Sequence, residues 1–147
     1  FIPYGYDERQ YGSPGFNLHV GSLMRTPNGR YPEYHTSADN LDLVRPEYLI
    51  DSLMTYLKVL YVLENNKRYV NLSPYGEPQL GKRGLYQAIG GGTAGQARQL
   101  ATLWVLNQSD GEHSLLDIAE RAGMDFEVIQ EMAEHLAAHG LLREIQV

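Results

Sequence analysis

Between residues 95 and 147 the apolar side chains return at three- and four-residue steps in three separate runs, and this most limits how the chain can fold. Leu100, Leu103, Trp104 and Leu106 mark a helix over about 96–107, with these four expected inside. Asp110-Gly111 is turn chemistry. Ser114 then offers a hydroxyl to the N–H of Asp117, and the acid suits the positive end of a helix carrying Leu115, Leu116, Ile118 and Ala119. Gly123 ends that helix, and a third, over about 125–139, presents Phe126, Ile129, Met132, Ala133 and Leu136. Gly140 breaks the third, and Leu141–Val147 alternates as a strand does.

Three helices, a tight turn between the second and third, then a strand is the winged-helix pattern. A winged helix that reads DNA does so with its third helix, and phosphate contacts supply most of the affinity. The outer positions here are Asp125, Glu127, Gln130, Glu131 and Glu134, with no Lys or Arg. Residues 95–147 hold three arginines against nine acids, whereas residues 1–94 balance nine basic against nine acidic residues. The entire net charge of −6 therefore falls in the last third, where a polyanion is repelled. This excludes nucleic acid as the expected partner and favours a protein contact or self-association through this domain.

The first 45 residues contrast with this regularity. They are rich in Gly, Pro and Tyr, with turn sequences at Tyr11–Gly15 and Thr26–Gly29 and one strand candidate, Phe16–Leu23. So long an irregular stretch lines a site or leans on other structure. Pro46 suits the first turn of a helix reaching about Asn66, with Leu49, Ile50, Leu53, Leu57, Leu60 and Leu63 on one stripe. Met54, Val59, Tyr61 and Val62 widen that stripe beyond what one neighbour covers. A short strand at Tyr69–Leu72 and a turn at Pro74–Pro78 lead to Gly90-Gly91-Gly92, read as a linker. The organisation expected is thus 1–68, a connecting region 69–94, and a terminal domain 95–147.

Negative evidence narrows the function. There is no cysteine, which excludes disulfides and thiolate ligands and agrees with the cytoplasm. No apolar run reaches the roughly 20 residues needed to span a bilayer. Phe1-Ile2-Pro3-Tyr4 is neither a start nor a signal peptide and suggests the middle of a longer protein. The glycine-rich 90–95 lacks the Lys and Ser/Thr of a phosphate loop, and Ser13 and Ser109 have no base nearby.

One segment carries chemistry. In Tyr31-Pro32-Glu33-Tyr34-His35-Thr36-Ser37-Ala38-Asp39, an imidazole precedes a carboxylate by four residues, just before the long helix. A neutral imidazole is a good zinc ligand when an acceptor holds its second nitrogen. His35-Thr36-x-x-Asp39 resembles the last ligand motif of the di-zinc aminopeptidase and glutaminyl-cyclase superfamily, and Tyr6–Tyr11 resembles its substrate-rim loop. The stretches Asp7–Leu43 and Gly76–Tyr86 look more specifically like a bacterial group that joins an aminopeptidase-like domain to a C-terminal winged helix; some members are labelled polysaccharide-biosynthesis proteins.

The resemblance implies an α/β fold: the C-terminal portion of a zinc-aminopeptidase-like domain, followed by a winged-helix-like three-helix domain. It implies a metallopeptidase-type zinc hydrolase acting on a peptide or aminoacyl-like substrate. His35 would be a zinc ligand, Asp39 the carboxylate behind it, and Asp7 and Glu8 part of the substrate rim; many relatives have a His where this chain has Glu8. A catalytic zinc takes about three protein ligands. His19, His113, His135 and His139 do not fall in the motif, so no catalytic set is complete and no zinc is expected on this chain alone. The alternatives are a non-catalytic interaction or assembly module and, behind it, a winged-helix DNA-binding regulator.

Overall fold

The computed structural model describes residues 5–85 and 93–145. The chain divides into two compact units, Phe1–Leu57 and Lys58–Val147, and the division falls inside a helix.

The first unit is built of turns. A five-residue helix, α1 (Asp7–Tyr11), is followed by irregular chain up to α2 (Pro46–Asn65), whose first turns belong to this unit. The strand expected at Phe16–Leu23 does not form. Those residues pair in no ladder, and Phe16, Leu18 and Val20 are exposed. Alternation alone makes no strand without a neighbouring edge to bond to. The segment is fastened instead to α2. The guanidinium of Arg25 pairs with Asp51 and lies 5.0 Å from the ring centre of Tyr48, while Tyr56 Oη donates to the Leu23 carbonyl at 2.7 Å. No described residue of this unit is buried.

The second unit has a core. Its sheet has strand order β2-β1-β3, with β1 (Arg68–Asn71) antiparallel to both β2 (Asp110–Ser114) and β3 (Leu142–Ile145). β1, placed with the connecting residues 69–94 by the sequence reading, is thus the middle strand of the terminal domain. Asp110-Gly111, expected as a plain turn, opens β2. Gly111 has φ +91, and a Cβ there would stand 2.9 Å from Ile145 Cδ1, so only glycine fits this edge without movement. The glycines expected as a linker, Gly90-Gly91-Gly92, lie outside the described residues.

Three helices cover the sheet: α3 (Thr93–Gln108), α4 (Leu115–Ala122) and α5 (Phe126–Ala138). α4 starts where the sequence said it should. Ser114 Oγ accepts from the Asp117 N–H at 3.3 Å, and the Asp117 carboxylate accepts from the Ser114 N–H at 2.8 Å, forming a capping box. It stops at Gly123, which takes a left-handed φ of +62. α5 buries Phe126, Ile129, Met132, Ala133 and Leu136 as its spacing predicted.

α3 is rotated from expectation. Its inward face is Ala101, Val105 and Leu106, whereas Leu100 and Leu103 are 49% and 41% exposed. Small residues let helices approach closely, so Ala101 rather than a leucine meets the neighbouring helices. The second unit also takes in the last turns of α2. Tyr61 Oη donates to Gln130 Oε1 at 2.6 Å, the Gln130 amide donates to Asn65 at 3.2 Å, and Tyr61 meets Phe126 edge-on at 6.3 Å. Gln130, expected on the solvent face, is thereby buried and satisfied. A buried side-chain amide left unpaired would cost about 1–3 kcal/mol.

Candidate functional site

The loop carrying His35 is a run of turns closed on themselves. Backbone N–H groups of Tyr34, Thr36 and Asp39 donate to the carbonyls of Tyr31, Glu33 and Thr36 at 3.0–3.2 Å. Thr36 Oγ1 donates to the Glu33 carbonyl at 2.7 Å and accepts from the Ala38 N–H at 3.2 Å. Threonine therefore serves the loop, not a ligand. Asn40 Oδ1 accepts from the Asp42 N–H at 2.8 Å, and Arg45 Nε donates to the Asp42 carbonyl at 3.0 Å, leading into α2.

His35 is exposed and has φ +60, a left-handed conformation uncommon for a non-glycine residue. Its ring stacks on Tyr34 with centres 4.0 Å apart and planes 15° apart. Tyr34 in turn meets Tyr31 edge-on at 5.5 Å. Asp39, expected behind His35, has Tyr31 as its partner. Burial, followed by the charge and hydrogen bond of Asp39, holds the Tyr31 phenol above its ordinary pKa. Asp39 thus lies beside the tyrosine that meets Tyr34 edge-on, and Tyr34 stacks on His35. A sequence pattern of His and Asp could not disclose Tyr31, because the link runs through side-chain stacking.

Asp7 and Glu8 stand in the first turn of α1. Asp7 is exposed. Glu8 Oε2 accepts from the Tyr6 N–H at 2.7 Å. Hydrogen bonds from the Glu8 and Tyr6 backbone N–H groups hold its carboxyl below the ordinary range. Glu8 thus bonds the backbone at the start of α1. Among the described residues, no three of His, Cys, Asp and Glu come together in a way that could hold a metal ion. His35 can offer one ring nitrogen.

In the second unit, α4 and α5 meet through the tight turn at Gly123, and α5 shows solvent Glu127, Glu131 and Glu134. Arg98 reaches over from α3 to pair with Glu131 at 2.5 Å. Among the described residues, α5 itself carries no Lys or Arg. Residues 67–144 match the winged helix-turn-helix family. The chain belongs to this family. The winged helix-turn-helix begins just before β1, so the strand at Arg68–Asn71 is part of it. Residues 1–66 match a domain of unknown function (DUF4910).

Two further likenesses concern Clostridium acetobutylicum. The chain is 54% identical over 143 residues to a protein provisionally named a polysaccharide biosynthesis protein with aminopeptidase-like domain, covering 97% of this chain and 33% of that one. A crystal structure of a provisionally named peptidase superposes with a TM-score of 0.83 at 50% identity, over 99% of this chain and 31% of that one. The chain thus spans about a third of the length of the relatives it matches, and the match is to their C-terminal third. The winged helix-turn-helix and the likeness to an aminopeptidase-like protein both agree with the sequence reading. Among the described residues, no helix is long and apolar enough to cross a membrane.

Proposed function

We propose that this chain is the portion of a cytoplasmic, zinc-dependent aminopeptidase-like hydrolase that contributes His35 to the metal site and Asp7 to the rim around a peptide or aminoacyl-like substrate. The observation that carries the reading is 54% identity, across nearly the whole chain, to a protein whose name includes an aminopeptidase-like domain. Two features support it. His35 is exposed, in a left-handed conformation, on a loop that spends its own hydrogen bonds on holding that shape. Backbone held in a sparsely populated region concentrates at functional sites. The apolar residues of α2, Leu49, Ile50, Leu53, Leu57 and Leu60 among them, are each about half exposed, as befits a helix packed by the rest of a larger protein.

The remaining ligands belong to the longer protein, and no step of the reaction is assigned to residues of this chain. Tyr31 and Asp39 position the ring, through Tyr34. The test is zinc stoichiometry of the longer protein together with hydrolysis of aminoacyl substrates, for the wild type and for His35→Ala. Loss of about one equivalent of zinc per chain, with loss of turnover, supports the reading. Unchanged zinc in His35→Ala removes His35 from the metal site, and an active protein without zinc removes the reaction class. The 147-residue chain alone should take up no zinc in calorimetry.

A second reading, a non-catalytic interaction module, is favoured by the winged helix-turn-helix itself. Its third helix carries acids outward, and its Gln130 is held by Tyr61 and Asn65. A protein contact suits this surface better than a polyanion.

A further inference from the structure

The second unit carries a cavity of about 560 Å3 between α3 and the loop that follows β1. One wall is Leu100, Leu103 and Trp104 of α3, and the other is Pro74, Glu77 and Pro78 of the loop. The start of that loop is held by hydrogen bonds. Asn71 donates its amide to the Leu106 carbonyl at 2.8 Å and accepts the Ser73 N–H at 2.8 Å, tying the loop's first residues to the end of α3. α3, rotated from its expected setting, forms the facing wall. Its two leucines face the cavity and stay half exposed while Ala101 and Val105 fill the core.

Three observations define what would fill it. Trp104 and the two leucines form an apolar wall, and leaving such surface in water costs about 25 cal/mol per Å2. Tyr75, at the tip of the same loop, is fully exposed, and Tyr and Trp together are the composition of protein-contact hot spots. Among the lining residues Glu77 alone has an acidic or basic side chain, and no hydrogen bond or ion pair to it is found within the described residues. A phosphate or carboxylate is repelled from this site; a cation beside an apolar group complements it.

We propose that this cavity is a docking groove for a polypeptide segment in which an apolar side chain neighbours a Lys or Arg. The apolar side chain lies against Trp104, Leu100 and Leu103, and the cation meets Glu77. Asn107, at the end of the same wall, has its carbonyl occupied by Gln108 and keeps its amide hydrogens for a backbone carbonyl of the bound segment. The proposal uses no residue of the metal reading, so the two stand or fall separately.

Trp104 is the one tryptophan of the chain, which makes the groove its own reporter. The probes are three mixtures of acetylated, amidated heptapeptides free of Trp and Tyr, with central pairs Leu-Lys, Leu-Glu or Ser-Lys, titrated into the full chain while Trp104 emission is followed. The Leu-Lys mixture should saturate the signal and shift it to the blue, ahead of the other two. Glu77→Gln should weaken Leu-Lys binding about two- to fivefold, the scale of an exposed ion pair. Glu77→Lys should turn the preference towards Leu-Glu. Leu100→Ser with Leu103→Ser should abolish the response; both sites are half exposed, so the fold should survive, checked by circular dichroism. Equal response to all three mixtures, no response up to millimolar peptide, or binding indifferent to the leucine pair would each overturn the proposal.

Discussion

The capping box of α4 offers a sharp test, because sequence and structure assign it the same two residues. Ser114 Oγ donates to Asp117 Oδ2 at 2.7 Å as well as accepting the Asp117 N–H, and the Ser114 N–H closes the ring at 2.8 Å. Ser114→Ala removes the hydroxyl alone, and N-cap losses of this kind cost about 1 kcal/mol. Asp117→Ala removes an ionised acceptor at the positive helix end, worth about 0.3–1 kcal/mol in charge alone beyond its hydrogen bonds. Because one ring holds both residues, the double variant should lose less than the two singles added, by about 0.5 kcal/mol or more. Urea unfolding followed by Trp104 emission reads this out, with an unchanged slope expected, and about 1 kcal/mol lowers the midpoint temperature of a domain this size by roughly 4–8 °C. Acid supplies a second axis. Hydrogen bonds from the Ser114 hydroxyl, then from its backbone N–H, hold the Asp117 carboxyl below its ordinary pKa. Its contribution is therefore full above the ordinary carboxylate pKa and is lost as pH falls through the lowered one. The deficit of Asp117→Ala should shrink on acidification. Additivity of the two singles within about 0.3 kcal/mol, or a deficit that grows in acid, would refute the reasoning.

Two other outcomes follow from the same domain. Burial pushes the Asp110 carboxyl up, but hydrogen bonds from the backbone N–H groups of His113 and Glu112 and from the His113 ring outweigh it, and the net pKa is about 2. Its stabilisation should persist at neutral pH and disappear as pH drops from the ordinary 3.8 towards 2, so Asp110→Asn should flatten the acid limb of the stability profile. Fluorescence anisotropy with random duplexes at low salt should give no binding to the chain, since α5 turns Glu127, Glu131 and Glu134 outward and Arg98 is already paired. Micromolar affinity falling steeply with salt would overturn that.

What the sequence by itself determined is local. Ser114, Asp117 and Gly123 mark the ends of α4 because capping and left-handed backbone depend on a few adjacent atoms, and Pro46 starts α2 for the same reason. The inward face of α5 was legible because its period matches one buried stripe. The winged helix-turn-helix was legible from the order of those elements. Tertiary structure decided everything that needed a partner distant in the chain. β1 is the middle strand only because residues 110–114 and 142–145 come back to its two edges, and Phe16–Leu23 fails as a strand because no edge reaches it. Leu100 and Leu103 look like core residues at helical spacing, but Ala101 and Val105 take the interior and the two leucines stay partly exposed. Gln130 reads as surface until Tyr61 covers it. Likewise the stacking of His35 on Tyr34, and the edge-on contact of Tyr34 with Tyr31, exist only once the turns fold. Periodicity records which face is apolar; it holds no information about which neighbour arrives.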